Sequence, residues 1–190
     1  MANIKDQNGA QVVEETISAQ EAFFAKYKKA IVSGVIAVVV IIAGIIVYNT
    51  YVAAPRADKA STILAKGQQL FGEEQYEKAL NGDKANFPGL LSIANEYGST
   101  EAGNLANLYA GLCYANLGKW NEAAQYLEKF DSCDDLMISP AAQGALGNAY
   151  AHLNQLDKAV DNLKKAAEKA DNNSLSPIFL IQAGEILESQ

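Results

Sequence analysis

Histidine occurs once in this sequence and cysteine twice, which leaves too few donors for a four-ligand structural zinc site. No His/Glu cluster stands at metal-ligand spacing, no glycine-rich loop is shaped to cradle a phosphate, and no nucleophile motif is present. Catalysis, a cofactor and a small-molecule substrate are therefore not expected. Two cysteines make no disulfide framework. Cys113 and Cys133 fall in one helical unit that does not by itself bring them together, so buried thiols are the expected state. Long alternations of polar and apolar residues are missing too, as are hairpin turns, and with them the case for strands. The expected fold class is all-α.

Charge is absent altogether between Lys29 and Arg56. The 22 residues from Ala30 to Tyr51 (AIVSGVIAVVVIIAGIIVYNTY) make a helix of roughly 33 Å, enough to cross a hydrocarbon core of about 30 Å. A secretory signal peptide has a shorter apolar core, of about 7 to 15 residues. Its one small-residue cleavage candidate here, Val52-Ala53-Ala54, is followed by Pro55, a poor residue just after a cut. The reading is a retained transmembrane signal-anchor helix over residues 30–52. Lys26, Lys28 and Lys29 abut its N-terminal end, whereas Arg56 and Lys59 at the other end have Asp58 between them, so the tail over 1–29 is expected in the cytoplasm. Tyr48 and Tyr51 mark the far interface. Within the tail, Val13, Ile17, Gln20, Phe24 and Tyr27 suggest one side of a helix running into the membrane.

Residues 53–190 are one domain's worth of chain. Of 15 basic and 22 acidic residues in the whole sequence, four of each fall in the first 52, leaving 11 against 18. All of the net charge of -7 therefore sits on the distal domain. An acidic surface repels phosphate backbones and anionic lipid, so nucleic acid is not an expected partner and the membrane is met through one helix only.

The domain repeats itself. Laid over one another at an offset of 36, NLYAGLCYANLGKWNEAAQYLEKF from Asn107 and QGALGNAYAHLNQLDKAVDNLKKA from Gln143 agree at seven of 24 positions, including Gly111/Gly147, Tyr114/Tyr150, Ala123/Ala159 and Leu127/Leu163. A near-constant period of this size signals a helical solenoid. These residues resemble the tetratricopeptide repeat, a helix-turn-helix unit of about 34 residues with recurring small and aromatic positions. The expectation is that paired helices cross where Gly111 meets Ala123 and Gly147 meets Ala159. Trp120 and Leu156 are read as covers for the turns between them.

Ser139-Pro140 and Ser176-Pro177 read as an N-cap followed by proline at the first helical position, and Thr100-Glu101 as the start of the earlier unit. Gly67, Leu70, Tyr76 and Ala79 fit the first half of another repeat, but Leu80 to Phe87 (LNGDKANF) reads as an insertion before a helix over Pro88 to Tyr97. Gly184 and Leu187 fit a further copy whose second helix is missing. Its apolar residues Ile178, Leu180, Ile181, Ile186 and Leu187 have no successor to cover them, and because repeat arrays normally close with a polar cap, three readings stand: truncation at Gln190, which is favoured, a marginal cap, or cover by a partner.

The layout as a whole resembles the YfgM-like ancillary subunits of the Sec translocon, through KYKKAIVSGVIAVVVIIAG, ASTILAKGQQLF, IANEYGSTEAGNLANLYAGLCYANLGKWNEAAQYL and their order. That resemblance implies a bacterial inner-membrane protein with a periplasmic repeat domain over 53–190. It also implies partners in the Sec translocon, a periplasmic chaperone or an exported polypeptide. A cell-envelope scaffold organising division or outer-membrane assembly proteins is the alternative.

Phasing by the small residues places Leu64, Gln68 and Phe71, then Leu105, Leu108, Leu112 and Asn116, then Asn148 and His152 along the inner helices. No Lys or Arg falls there, so a carboxylate clamp is not expected. An apolar groove rimmed by amides suits an extended segment or a partner helix. His152 reads as groove packing rather than a proton carrier. Asp134 and Asp135 read as a solvated loop.

Overall fold

A computed structural model describes residues 4–83 and 86–189, with side chains from residue 26 onward. The tail positions Val13, Ile17, Gln20 and Phe24 lie outside the residues whose side chains are described. Among the described residues all regular structure is helical. The chain divides into two compact units, Met1–Ala53 and Ala54–Gln190.

The first unit is a single helix, α1 (Ile4–Tyr48), continued by a π-helical turn over Asn49–Ala53. Pro55 explains the turn, because it has no N–H to donate and its ring crowds the carbonyl four residues back, so the hydrogen-bond register slips before it. Val35, Ile36 and the branched residues from Val38 to Val47 leave 50–63% of their surface bare. Each branched side chain left in water forgoes about 1.5–3 kcal/mol of burial. Within Lys26–Gly72 the helical run is long and apolar enough to cross a membrane, and length and composition fit a membrane span and a signal sequence alike.

The second unit opens with α2 (Ala54–Gly72), then α3 (Tyr76–Asn81) and α4 (Leu90–Glu96), and continues through α5 (Glu101–Asn116), α6 (Trp120–Glu128), α7 (Ile138–His152), α8 (Leu156–Ala170) and α9 (Ser176–Ser189). Consecutive helices pack antiparallel in pairs around three linked apolar clusters. One turn geometry joins each pair. Glu74, Gly118 and Asn154 take positive φ (59°, 71° and 57°), and the next N–H, of Gln75, Lys119 or Gln155, donates to the carbonyl five residues back at 2.9 Å. This is the left-handed ending that closes a helix by satisfying its last carbonyls.

Small residues set the approach of the paired helices. A Cβ on Gly147 would stand 2.8 Å from Leu163 Cγ and 3.1 Å from the Ala159 carbonyl, and one on Gly111 would stand 2.6 Å from Leu127 Cγ. The close approach expected at Ala123 therefore falls on Leu127, one helical turn further along, while Ala123 is fully buried beside it. In both units the leucine lies 16 residues after the glycine.

The first repeat keeps this scheme across a break. Gly67 also meets a leucine, Leu90, whose Cδ2 would stand 2.6 Å from an added Cβ, but 23 residues on. Helices α3 and α4 are thus the two halves of one outer helix, interrupted between Asn81 and Leu90. The interruption has the length of LNGDKANF but starts two residues later: Leu80 belongs to α3 and is 1% exposed, and Phe87 is 3% exposed and pinned in the core. Asp83 shapes the loop, accepting the N–H of Asn86 and of Phe87 at 2.7 and 2.9 Å. Gly82 and Gly89 (φ 84° and 92°) let the two ends of the loop touch, since a Cβ on Gly89 would stand 2.4 Å from the Leu80 carbonyl. The following helix starts at Leu90 instead of Pro88 for the same reason.

Two expected caps are corrected. Thr100 does cap α5, accepting the Gly103 N–H at 3.1 Å. Ser139, however, lies inside α7 and is 1% exposed. The cap is Asp135, whose carboxylate accepts the N–H groups of Met137, Ile138 and Ser139 and the Ser139 hydroxyl. A carboxylate four residues upstream outcompetes the serine because it carries charge to the positive end of the helix. Asp135 is therefore a structural residue and its carboxyl is held below the ordinary range, first by the Ser139 hydroxyl. Ser176 begins α9 but ties back to α8, donating to the Ala167 carbonyl at 2.8 Å and accepting from the Asn172 N–H.

Candidate functional site: the inner face of the helical repeats

Helices α2, α5 and α7 are the first members of their pairs and, with α9, share one face. Of Asp, Glu, Lys and Arg, helix α5 carries only Glu101 and α7 carries none. Charge gathers instead on α8, from Asp157 to Lys169. The division holds for α5 and α7, which pack on both sides, whereas α8 buries one stripe only; α2, at the start of the array, carries Arg56, Asp58, Lys59 and Lys66.

The inner face holds two hollows. The first, of about 410 Å³, is lined by Gln68 and Phe71 from α2, by Leu105, Leu108, Tyr109 and Leu112 from α5, and by Met137, Ile138, Ala141 and Ala142 around the start of α7. Phe71 is fixed edge-on between Tyr76 and Tyr109, with centroids 5.7 and 5.4 Å away. Such edge contacts hold an aromatic wall in one orientation.

The second hollow, of about 430 Å³, lies between α5, α7 and α9 and is lined by Ala115, Asn116, Trp120, Ala145, Asn148, Ala151, His152 and Gln182. Trp120 stacks on His152 with ring centroids 3.7 Å apart and planes within 3°. The tryptophan therefore does more than cover a turn, since it forms a wall of this hollow with its imidazole partner. Asn116 turns its Nδ2 to the Leu112 carbonyl at 2.9 Å, which leaves its oxygen outward. The Gln182 Oε1 is buried with no hydrogen-bond partner among the described residues.

The nine positions phased from the sequence thus divide. Gln68, Phe71, Leu105, Leu108 and Leu112 meet in the first hollow, and Asn116, Asn148 and His152 meet in the second. Leu64 is 4% exposed, packs into the first apolar cluster and lines neither. Met137, Ile138 and Tyr109 in the first hollow, and Trp120 and Gln182 in the second, were not among those positions. The sequence signal for the first hollow's rim is the run Leu136-Met137-Ile138, three large apolar residues at the junction of a polar loop with α7, 59, 71 and 49% exposed.

Both cysteines are free. Cys113 is fully buried, and burial pushes its thiol up to about 12. Cys133 departs from the expected burial: α6 ends at Glu128, so Cys133 falls in the exposed loop before α7, where its N–H donates to the Ser139 hydroxyl. That loop is clamped by Asn104, which donates to the Asp131 carbonyl at 2.7 Å and accepts the Asp131 N–H at 2.8 Å. Among the described residues no group of three or more His, Cys, Asp or Glu is placed to hold a metal ion.

Residues 21–172 match the family described as tetratricopeptide repeat-like domain, and the chain belongs to that family. No curated protein and no solved structure matches it.

Proposed function

We propose that this protein is a non-catalytic, membrane-anchored interaction module of the bacterial inner membrane. It spans the bilayer once through residues 30–52, with its tail over 1–29 in the cytoplasm and its repeat domain over 53–190 in the periplasm. There it serves as an accessory of the Sec translocon, linking the channel to a periplasmic chaperone or to emerging chains.

The observation that carries the interaction reading is the inner face itself, with two adjoining hollows lined by leucines, aromatics and carboxamides and by no Lys, Arg, Asp or Glu. Such a surface has no fixed charge with which to grip an acidic tail, and its shape and chemistry suit an extended segment or a helix laid across α5 and α7. The anchor supports the membrane part of the reading, because the bare branched residues of α1 require an apolar surrounding. The Sec assignment rests on resemblance of layout.

The test is affinity purification of the tagged protein from detergent-solubilised membranes after crosslinking in cells, read by mass spectrometry. Co-enrichment of the Sec channel with a periplasmic chaperone or exported chains is expected. A division or outer-membrane assembly complex in their place would replace the accessory role with that of an envelope scaffold.

A further inference from the structure

The first hollow is not closed at its α7 end. Leu105 and Ile138 line it and also line a smaller hollow of about 180 Å³, whose walls include Glu101 and Asp135. Apolar surface and negative charge therefore meet at one mouth. Met137 and Ile138 form its lip, with Leu136 just before them; all three expose about half or more of their surface, and methionine is a side chain that adapts to different apolar partners. Glu101, in the first turn of α5, lines the smaller hollow, and Asp134, which lines neither hollow, precedes Asp135 on the same loop; both are exposed and have neither an ion pair nor a side-chain hydrogen bond among the described residues. No Lys or Arg lines either hollow. Lys169 reaches the loop at Ser132, outside both.

We propose that this mouth receives an apolar segment flanked by basic residues, carried by another protein chain. The apolar side chains enter the first hollow past Met137 and Ile138, and the flanking Lys or Arg meets Glu101 and Asp134. Charge complementarity selects this occupant: an acidic flank would face the unpaired carboxylate of Glu101, with Asp134 on the adjoining loop, and a domain whose whole net charge of -7 opposes it. A second copy of the same acidic domain is disfavoured on the same ground. The inference deepens the interaction reading above by naming the class of segment bound.

The experiment uses the full chain in nanodiscs of zwitterionic lipid, with empty discs as the control for partitioning. Three labelled peptides share one leucine-rich core and differ in flanks of Lys, Ser or Glu, and anisotropy reports binding. The Lys-flanked peptide is expected to bind tightest, by roughly threefold to tenfold over the Ser-flanked one at low salt, which is the range for two exposed ion pairs. The gap should shrink at high salt. Combining Glu101→Gln with Asp134→Asn should remove the preference and leave the Ser-flanked peptide unchanged, and Met137→Ser with Ile138→Ser should weaken all three. Equal binding of the three peptides would overturn the basic flank and leave the groove standing. Binding of none, or binding indifferent to the Met137 and Ile138 changes, would overturn the groove reading as well. A dimer abolished by Met137→Ser, in place of peptide binding, would assign the mouth to a second copy and overturn the proposal.

Discussion

Glu74 occupies the turn position that Gly118 and Asn154 fill in the next two repeats, at φ 59°. A side chain with a Cβ is disfavoured there by about 1–2 kcal/mol, partly offset in glycine by the larger entropy of its unfolded chain. Glu74→Gly is therefore expected to stabilise the domain by about 0.5–1 kcal/mol, read from urea unfolding by the fluorescence of Trp120. Asp135 is tested the other way. Replacing it with Ala strips the N-terminus of α7 of its acceptor and should cost about 0.5–2 kcal/mol at neutral pH. Its carboxyl titrates below the ordinary 3.8, so its contribution is complete above that value. As pH falls through the lower folded-state value the contribution is lost. The difference between wild type and Asp135→Ala should thus be constant from pH 7 to about 5 and close on further acidification.

At the scale of the element, α9 docks through Phe179 and Ala183, with Ile186 packed beside them. Phe179 is 8% exposed and fills the notch left by Gly144, where a Cβ would stand 2.3 Å from its ring. Phe179→Ala should cost about 3–5 kcal/mol locally, and amide exchange should show α9 losing protection while α5 and α6 keep theirs. The same helix exposes Ile178, Leu180, Ile181 and Leu187 by 49–60%. Periodicity was enough to locate α5 through α8, because each repeat's pattern is local and is written twice. What it missed is long-range or competitive. The stack of Trp120 on His152 joins positions 32 residues apart, and the meeting of Gly67 with Leu90 is legible only once the loop is known to split a helix without shifting its packing. Ser139 matched a capping pattern, and the pattern could not weigh it against the carboxylate of Asp135. Leu64 carried the right phase for the inner face but sits where α2 turns into the core. The two hollows depend on how three helices stand together, and no single segment encodes that.

For the whole molecule, the two cysteines supply a built-in probe of sidedness. Cys133 is exposed and Cys113 fully buried. A membrane-impermeant maleimide should therefore label intact spheroplasts at Cys133 alone and without permeabilisation if the repeat domain lies outside the cytoplasm; labelling only after lysis would reverse the orientation. The most direct test of the central claim, that the inner face is where other chains bind, is a map of photo-crosslinks made in living cells. Benzophenone side chains at Gln68 and Asn148 would face the two hollows, and one at Gln125, exposed on α6 and lining neither, would be the control. Adducts to other proteins from Gln68 and Asn148, with none from Gln125, are the predicted result. Adducts from Gln125 alone, or from all three positions equally, would contradict it.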